Sequence, residues 1–286
     1  MSRLCHGKYL SCLSYRHNFA AKKKKMQERH RNRKLYFEEL ASTARNYYVD
    51  YVRPYVTLSE KTRVLEIGCG EGGNLLAFAE MGCQVTGIDL NRQKIETAHH
   101  LFGEYGMKGS FICQDFFDYS SSVSTADSFD LIIVHDVIEH ISPNIKVRFM
   151  EHISPFLKAK GIVFFAFPPW QMPFGGHQQI AKGLGSKLPY IHLLPNKLYL
   201  SILRMGKTRQ GVLDELMSIK QSRTSIEDFE KLLIWTGYSI VQRTFWVINP
   251  HYKQKFHLCP IRLCPIFALI PYVRNYYITS VFYILN

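Results

Sequence analysis

The run Val64-Leu65-Glu66-Ile67-Gly68-Cys69-Gly70-Glu71-Gly72-Gly73 sets a short apolar segment directly before a glycine-rich turn. Glycines here let the chain turn sharply and let its backbone approach a ligand closely. Asp89 follows about 20 residues on, ending a second apolar run, where a carboxylate can accept the hydroxyls of an adenosine ribose. The spacing also fits the GxGxxG of dinucleotide enzymes, so a nicotinamide cofactor is the immediate competitor. Glu66 bears on that choice. A carboxylate at the strand's end would repel a pyrophosphate, but it suits the zwitterionic amino-acid moiety beside a sulfonium. Asp115-Phe116 offers an acceptor and a ring for adenine.

A second group of reactive side chains follows. Asp136-Val137-Ile138-Glu139-His140 ends an apolar run, and Phe167-Pro168-Pro169-Trp170-Gln171-Met172-Pro173-Phe174-Gly175-Gly176-His177 ends the next. The rings and prolines form a stiff wall, and Gly175-Gly176 allow a turn that presents His177. An imidazole with a pKa of about 6.5 suits removal of a hydroxyl proton as the oxygen attacks. His135, His140 and His177 are all placed for that role. The plainer reading makes the Glu-His pair a helix start and active-site wall, and the proline-rich stretch a loop around a core histidine. His192 is expected to be buried structure, and Phe245 and Trp246 core residues of a strand.

The elements that must hold these residues alternate. A helical apolar spacing runs from Leu35 to about Tyr55. Strands are predicted at Arg63 to Ile67, Gln84 to Ile88, Ser110 to Gln114, Phe129 to Val134 and Gly161 to Phe167. Helices are predicted at Asn74 to Met81, Gln93 to Tyr105 and Ile145 to Leu157. This order gives an α/β, Rossmann-like, doubly wound sheet with the chemistry at the strand ends. Residues 168–224 break the pattern and read as an inserted substrate cap after the fifth strand. A helix opened by Ser225 with Asp228, a β-rich run Tyr238 to Ile248 and a strand Ile278 to Leu285 complete the chain.

Composition narrows the setting. The chain has 286 residues and a formal charge of +13, but residues 1–35 hold eleven Lys/Arg against one Glu, while residues 36–250 hold 21 basic and 22 acidic groups. A neutral body with a basic tail argues against a nucleic-acid groove. Residues 1–34 are expected to be a flexible tail and residues 35–286 one domain. Seven scattered cysteines without CxxC spacing read as reduced thiols. Without a signal-like or spanning apolar run the expected compartment is the cytoplasm, with Ile261 to Ile270 open between core packing and peripheral membrane contact.

Val64 to Gly70, Asp89, Gln114-Asp115-Phe116 and Phe129-Asp130-Leu131-Ile132 closely resemble successive motifs of the class I methyltransferases, over roughly Arg63 to Phe167. The resemblance implies a seven-stranded sheet whose last two strands form an antiparallel hairpin, and S-adenosyl-L-methionine as methyl donor. It places Gly68 and Gly70 along the methionine portion, Asp89 at the ribose, and Asp115 with Phe116 at the adenine. The expected cofactor set is Glu66, Gly68, Cys69, Gly70, Asp89, Leu90, Asp115, Phe116 and His135. The DxxEH stretch is similar to one in ubiquinone-pathway O-methyltransferases and small-RNA 2′-O-methyltransferases, where such residues resemble a divalent-metal site. Asp136, Glu139 and His140 would then be ligands; the expectation is that no metal is used. The loop after the fifth strand resembles that of bacterial methyltransferases with glycan or lipid-linked sugar substrates. The implied activity is O-methylation of a small-molecule or glycan-like acceptor, the alternatives being an RNA or protein methyltransferase and a non-catalytic S-adenosylmethionine-binding module.

Overall fold

Along Leu157–Phe167 (β5), Ile162, Phe164 and Ala166 point to one buried layer while Val163, Phe165 and Phe167 point to another. A strand apolar on both faces must be covered on both. A computed structural model, which describes residues 32–122 and 128–286, shows how this is done. The predicted basic tail lies outside the described residues up to residue 31, as do Cys5 and Cys12.

Five parallel strands, Arg63–Ile67 (β1), Gln84–Asp89 (β2), Ser110–Cys113 (β3), Phe129–His135 (β4) and β5, lie in the order β3-β2-β1-β4-β5. The order reverses between β1 and β4, which opens a crevice at the strands' carboxyl ends. The sheet continues through Ser280–Leu285 (β8), Ile240–Ile248 (β6) and the two-residue edge strand Ile261–Arg262 (β7). β8 runs antiparallel to both β5 and β6, as expected of the last two main strands. The eighth strand, β7, was not anticipated: its two residues are too few to carry a period.

One face of the sheet is covered by Arg33–Thr43 (α1), its continuation through a π-helical turn Ala44–Tyr48 into Val49–Val52 (α2), and by Gly73–Glu80 (α3) and Arg92–Glu104 (α4). The other is covered by Phe116–Ser122 (α5), Lys146–Ile153 (α6) and Ile226–Thr236 (α9). The predicted helix Ile145 to Leu157 ends early, because Pro155 lacks the N–H that the next turn needs. β5 begins earlier than predicted, at Leu157; Lys158 and Lys160 disguise its entry, and Lys158 Nζ pairs with Asp130 at 2.8 Å. Ser225 caps α9 as expected, its hydroxyl accepting the Asp228 N–H at 3.0 Å.

The segment between β5 and α9 carries Asn196–Met205 (α7), Gln210–Ser222 (α8) and three single 3₁₀ turns around a small core of Ala181, Ile191, Tyr199, Leu203, Leu213 and Leu216. Lys220 ties it together. Its buried ammonium donates to the carbonyls of His192 (2.7 Å) and Leu194 and lies 5.0 Å from the Tyr199 ring centroid. Lys220→Met would leave two inward carbonyls without this donor, at about 1–3 kcal/mol for an unsatisfied buried group. The expected result is faster limited proteolysis between residues 177 and 195, with the sheet's own melting little changed. Unchanged cleavage there would remove Lys220 from this role.

Candidate active site

The glycine turn, Asp89, Asp115 and Asp136 all stand at the carboxyl ends of parallel strands, and backbone hydrogen bonds fix the crevice. Gly68 and Cys69 N–H donate to the Ile88 carbonyl at 2.8 and 3.0 Å, stitching the turn to β2. The Asp89 carboxylate accepts Gly70 N–H at 2.9 Å and Asn91 N–H at 2.8 Å, so each oxygen is oriented by the backbone and keeps lone-pair capacity for a further donor. Gly68 has φ +73° and would drive a Cβ to 2.6 Å from Val137. Gly70 has φ +56°, and open space lies where its Cβ would stand. The cradle is therefore shaped for a ligand passing along bare backbone.

Glu66 is buried beneath this turn, with one oxygen accepting the Asn74 amide at 2.7 Å and the other without a hydrogen-bond partner. Burial pushes its carboxyl up to about 8, against the pull of the Asn74 donor. An orphaned acidic oxygen below the glycine loop fits a ligand bearing an ammonium group. It also carries a stability cost. A folded-state pKa above the unfolded value means that stability is full below about 4.5 and is lost as pH rises through about 8. Glu66→Gln should therefore flatten the fall of the thermal midpoint between about pH 6.5 and pH 8, a window above ordinary histidine titration. An equal slope in both proteins would show that Glu66 ionises normally.

The helix α1 and its π-turn close the crevice from above. Arg33 lies 3.0 Å from Glu71, Phe37 and Leu40 pack against Gly73, and Tyr48 hydroxyl meets His135 Nε2 at 2.8 Å. His251, opening His251–Phe256 (α10), holds Thr43 at 3.1 Å and lies edge-on to Tyr36. Burial, then the nearby Asp136 and Glu71 carboxylates, pushes the Tyr36 phenol up, which places its hydroxyl in the anionic surroundings of the crevice. Sequence reasoning missed Tyr36, Glu71 and His251. The helix tyrosines double as core residues, and no local pattern marks that they face a loop distant in sequence.

At the end of β4, Asp136 adopts φ +52°, a left-handed conformation that most residues avoid. That turn separates the predicted histidines. His135 has one ring nitrogen on Tyr48 and the other 3.6 Å from Asp136, and its ring packs at 5.4 Å against Tyr48. His140 and His177 instead face each other, ring centroids 5.2 Å apart. Glu139 lies below them, buried, with neither oxygen hydrogen-bonded. Burial, reinforced by Asp136, pushes its carboxyl well above the usual range. Burial lowers the half-buried His177 imidazole to about 4, with His140 adding to the effect, and the more exposed His140 is lowered in the same direction.

The fold gives several of the sequence-predicted residues partners that their local pattern does not show. The metal-capable group among the described residues is Glu139, His140 and His177, with ligand atoms within 4.8 Å of one another, rather than Asp136, Glu139 and His140. The left-handed turn at Asp136 sets it apart from the other two, and the loop after β5 brings His177 in. Phe116 is buried, its ring packed on Phe149, His152 and Phe156. The exposed apolar surface at the β2 end is Leu90, 72% exposed. His135 stands outside the histidine pair, its nitrogens occupied. Asp115 accepts Phe117 N–H at 2.9 Å. His192 is buried as expected, bonded to the Trp170 carbonyl at 2.8 Å, and Phe245 and Trp246 are buried in β6.

Residues 64–161 match the family model described as a methyltransferase domain. They form a methyltransferase domain. The glycine turn, Asp89, Asp115 and the β4 end all fall inside it. Among curated proteins, the ubiquinone biosynthesis O-methyltransferase of Histophilus somni is 30% identical over 134 residues, 44% of this chain and 55% of that protein. An uncharacterized protein of Rickettsia prowazekii is 30% identical over 119 residues, 40% of this chain and 46% of that one. The chain spans about half the length of the curated relatives it matches. The plantazolicin methyltransferase, solved with a pentazolic desmethylPZN analog and SAH, aligns with TM-score 0.53 at 17% identity, over 92% of this chain and 90% of that one. A putative sarcosine dimethylglycine methyltransferase from Galdieria sulphuraria aligns with TM-score 0.54 at 12% identity, over 84% of each. The fold of the methyltransferase domain is that of these solved structures.

Proposed function

We propose that the protein methylates a hydroxyl oxygen on a small-molecule or glycan-like acceptor. The observation that carries this reading is the His140–His177 pair, ring centroids 5.2 Å apart, at the carboxyl ends of β4 and β5 beside the crevice that suits the cofactor. When bound, S-adenosyl-L-methionine supplies an electrophilic methyl group. Glu66 and the Gly68–Gly70 backbone would hold its amino-acid end, Asp89 its ribose hydroxyls, and Leu90 with the Asp115 turn its adenine. The segment 168–224 would serve as the cap that encloses the acceptor, since Gly176 packs on His192 and Tyr190 N–H donates to the Pro173 carbonyl at 2.7 Å. Excluding water there strengthens each polar contact to the acceptor and fixes its oxygen for in-line attack.

The proton has a defined route. As the acceptor oxygen forms its bond to the methyl carbon, its hydroxyl proton passes to a ring nitrogen of His177 or His140, and the pair shares the charge. Similarity to ubiquinone biosynthesis O-methyltransferases supports an oxygen acceptor. The test is transfer of labelled methyl groups from S-adenosylmethionine to panels of phenols and glycans, with RNA and protein substrates in parallel. Turnover of a phenol or glycan is expected. Turnover only of RNA or protein would replace the acceptor class, and tight S-adenosylhomocysteine binding with no turnover would make the protein a binding module.

The Glu139–His140–His177 group also has the ligand types of a divalent-cation site. On the base reading, chelation with EDTA leaves methyl transfer unchanged. Loss of activity restored by Mg²⁺, Mn²⁺ or Zn²⁺ would transfer the hydroxyl's activation from the histidine base to a bound cation.

A further inference from the structure

Residues 168–213 contain six Lys/Arg and no acid, and residues 237–286 contain five Lys/Arg and no acid. The two segments meet in space: Tyr190 hydroxyl donates to the Tyr276 carbonyl at 3.1 Å, with the rings 6.4 Å apart. They are also where large apolar side chains stand in solvent. On α7, Tyr199 and Leu203 turn inward while Leu198 and Met205, seven positions apart, are exposed, with Lys197 and Arg204 beside them. In the second segment, around Pro265–Ala268 (α11), Ile266, Phe267 and Leu269 are 72%, 59% and 79% exposed, near the exposed Arg262.

Scattered exposed leucines need no explanation, but exposed apolar side chains set beside exposed cations on both segments do, even with Arg243 and Arg274 paired to Glu230 and Glu227. We propose that this face docks on a bilayer surface carrying anionic headgroups. Aliphatic tips enter the headgroup boundary while lysine and arginine stems reach past them to phosphates, the arrangement of an interfacial amphipathic helix. A second copy of the chain is disfavoured, because the exposed Lys197, Arg204 and Arg262 of one copy would meet the same cations of the other. Single-stranded nucleic acid would call for aromatic stacking platforms, whereas the α7 tips are leucine and methionine. No helix among the described residues is long and apolar enough to cross a membrane, so contact through these segments is from one side. The face borders the loop that carries His177 through the Tyr190–Pro173 bond, yet docking does not depend on methyl transfer.

The experiment is flotation of the full chain with phosphatidylcholine vesicles, with and without roughly three parts in ten phosphatidylglycerol. Binding is expected only to the anionic vesicles, weakened by salt. Leu198→Gln with Met205→Gln, Phe267→Gln with Leu269→Gln, and Lys197→Gln with Arg204→Gln should each lower the partition coefficient by about tenfold. All three pairs lie in solvent, and an unchanged thermal melt and S-adenosylhomocysteine titration would show that the fold is intact. Absence of binding to anionic vesicles overturns the proposal. So does binding that all three pairs leave unchanged, which would assign the attraction to the basic residues 1–35. Concentration-dependent self-association abolished by the same pairs would make the occupant a second copy and also overturn it.

Discussion

Asp89→Ala is expected to weaken S-adenosylhomocysteine binding by about a hundredfold or more. The carboxylate is held by Gly70 and Asn91 N–H and offers its remaining lone pairs toward the crevice. Hydrogen bonds to a charged group contribute about 1.5–3 kcal/mol each, and two ribose hydroxyls would be lost together. The substitution also frees the Gly70 amide, so the turn loses its anchor to β2's end. Asp89→Asn keeps one oxygen acceptor and should fall between the two. Calorimetric titration, with NADH as the parallel ligand, reads the outcome. Affinity for S-adenosylhomocysteine within about threefold of the parent would place the ribose elsewhere, and tight NADH binding would reopen the dinucleotide reading.

His177→Asn is expected to lower the methyl-transfer rate by roughly 10²–10⁴-fold while leaving cofactor affinity unchanged. Asparagine is chosen because His177 sits at φ +53°, where it is tolerated better than alanine. The pH dependence separates catalysis from support. A base whose pKa is depressed to about 4 is already deprotonated at pH 5, so the parent's rate should hold from pH 8 to about pH 5 and fall only below that. With an ordinary histidine as base, the fall would begin near pH 6.5. A His177→Asn protein that turns over at the parental rate would take the base role from His177, leaving His140 to be tested in the same way. Loss of cofactor affinity in step with rate would mark it as structural.

Most of the parallel sheet was legible from local pattern. The apolar runs of β1, β4 and β5 are strands buried on both faces, and the turn at Gly68–Gly73 carries the glycines that its positive φ values need. Phe116 shows the limit. A ring next to an aspartate at a strand end has the composition of an adenine contact, yet α5 begins at that residue and turns the ring into the aromatic layer formed with α6. Likewise the mixed composition of residues 168–224 marks an insertion but conceals that Lys220 is its internal tie.

The sequence by itself determined the fold class, the succession of the main strands and the glycine turn after β1, because glycine spacing and strand period are properties of neighbouring residues. Only the tertiary structure decided which histidines act together. His135 and His140 are five positions apart, yet the left-handed turn at Asp136 sends one to Tyr48 and the other to His177, 37 positions along the chain. It also decided that within Ile261–Ile270 Leu263 and Ala268 pack against the core while Ile266, Phe267 and Leu269 stand at the surface. Hydropathy records how apolar a segment is; which face a neighbour covers depends on contacts between distant segments, and those exist only once the chain has folded.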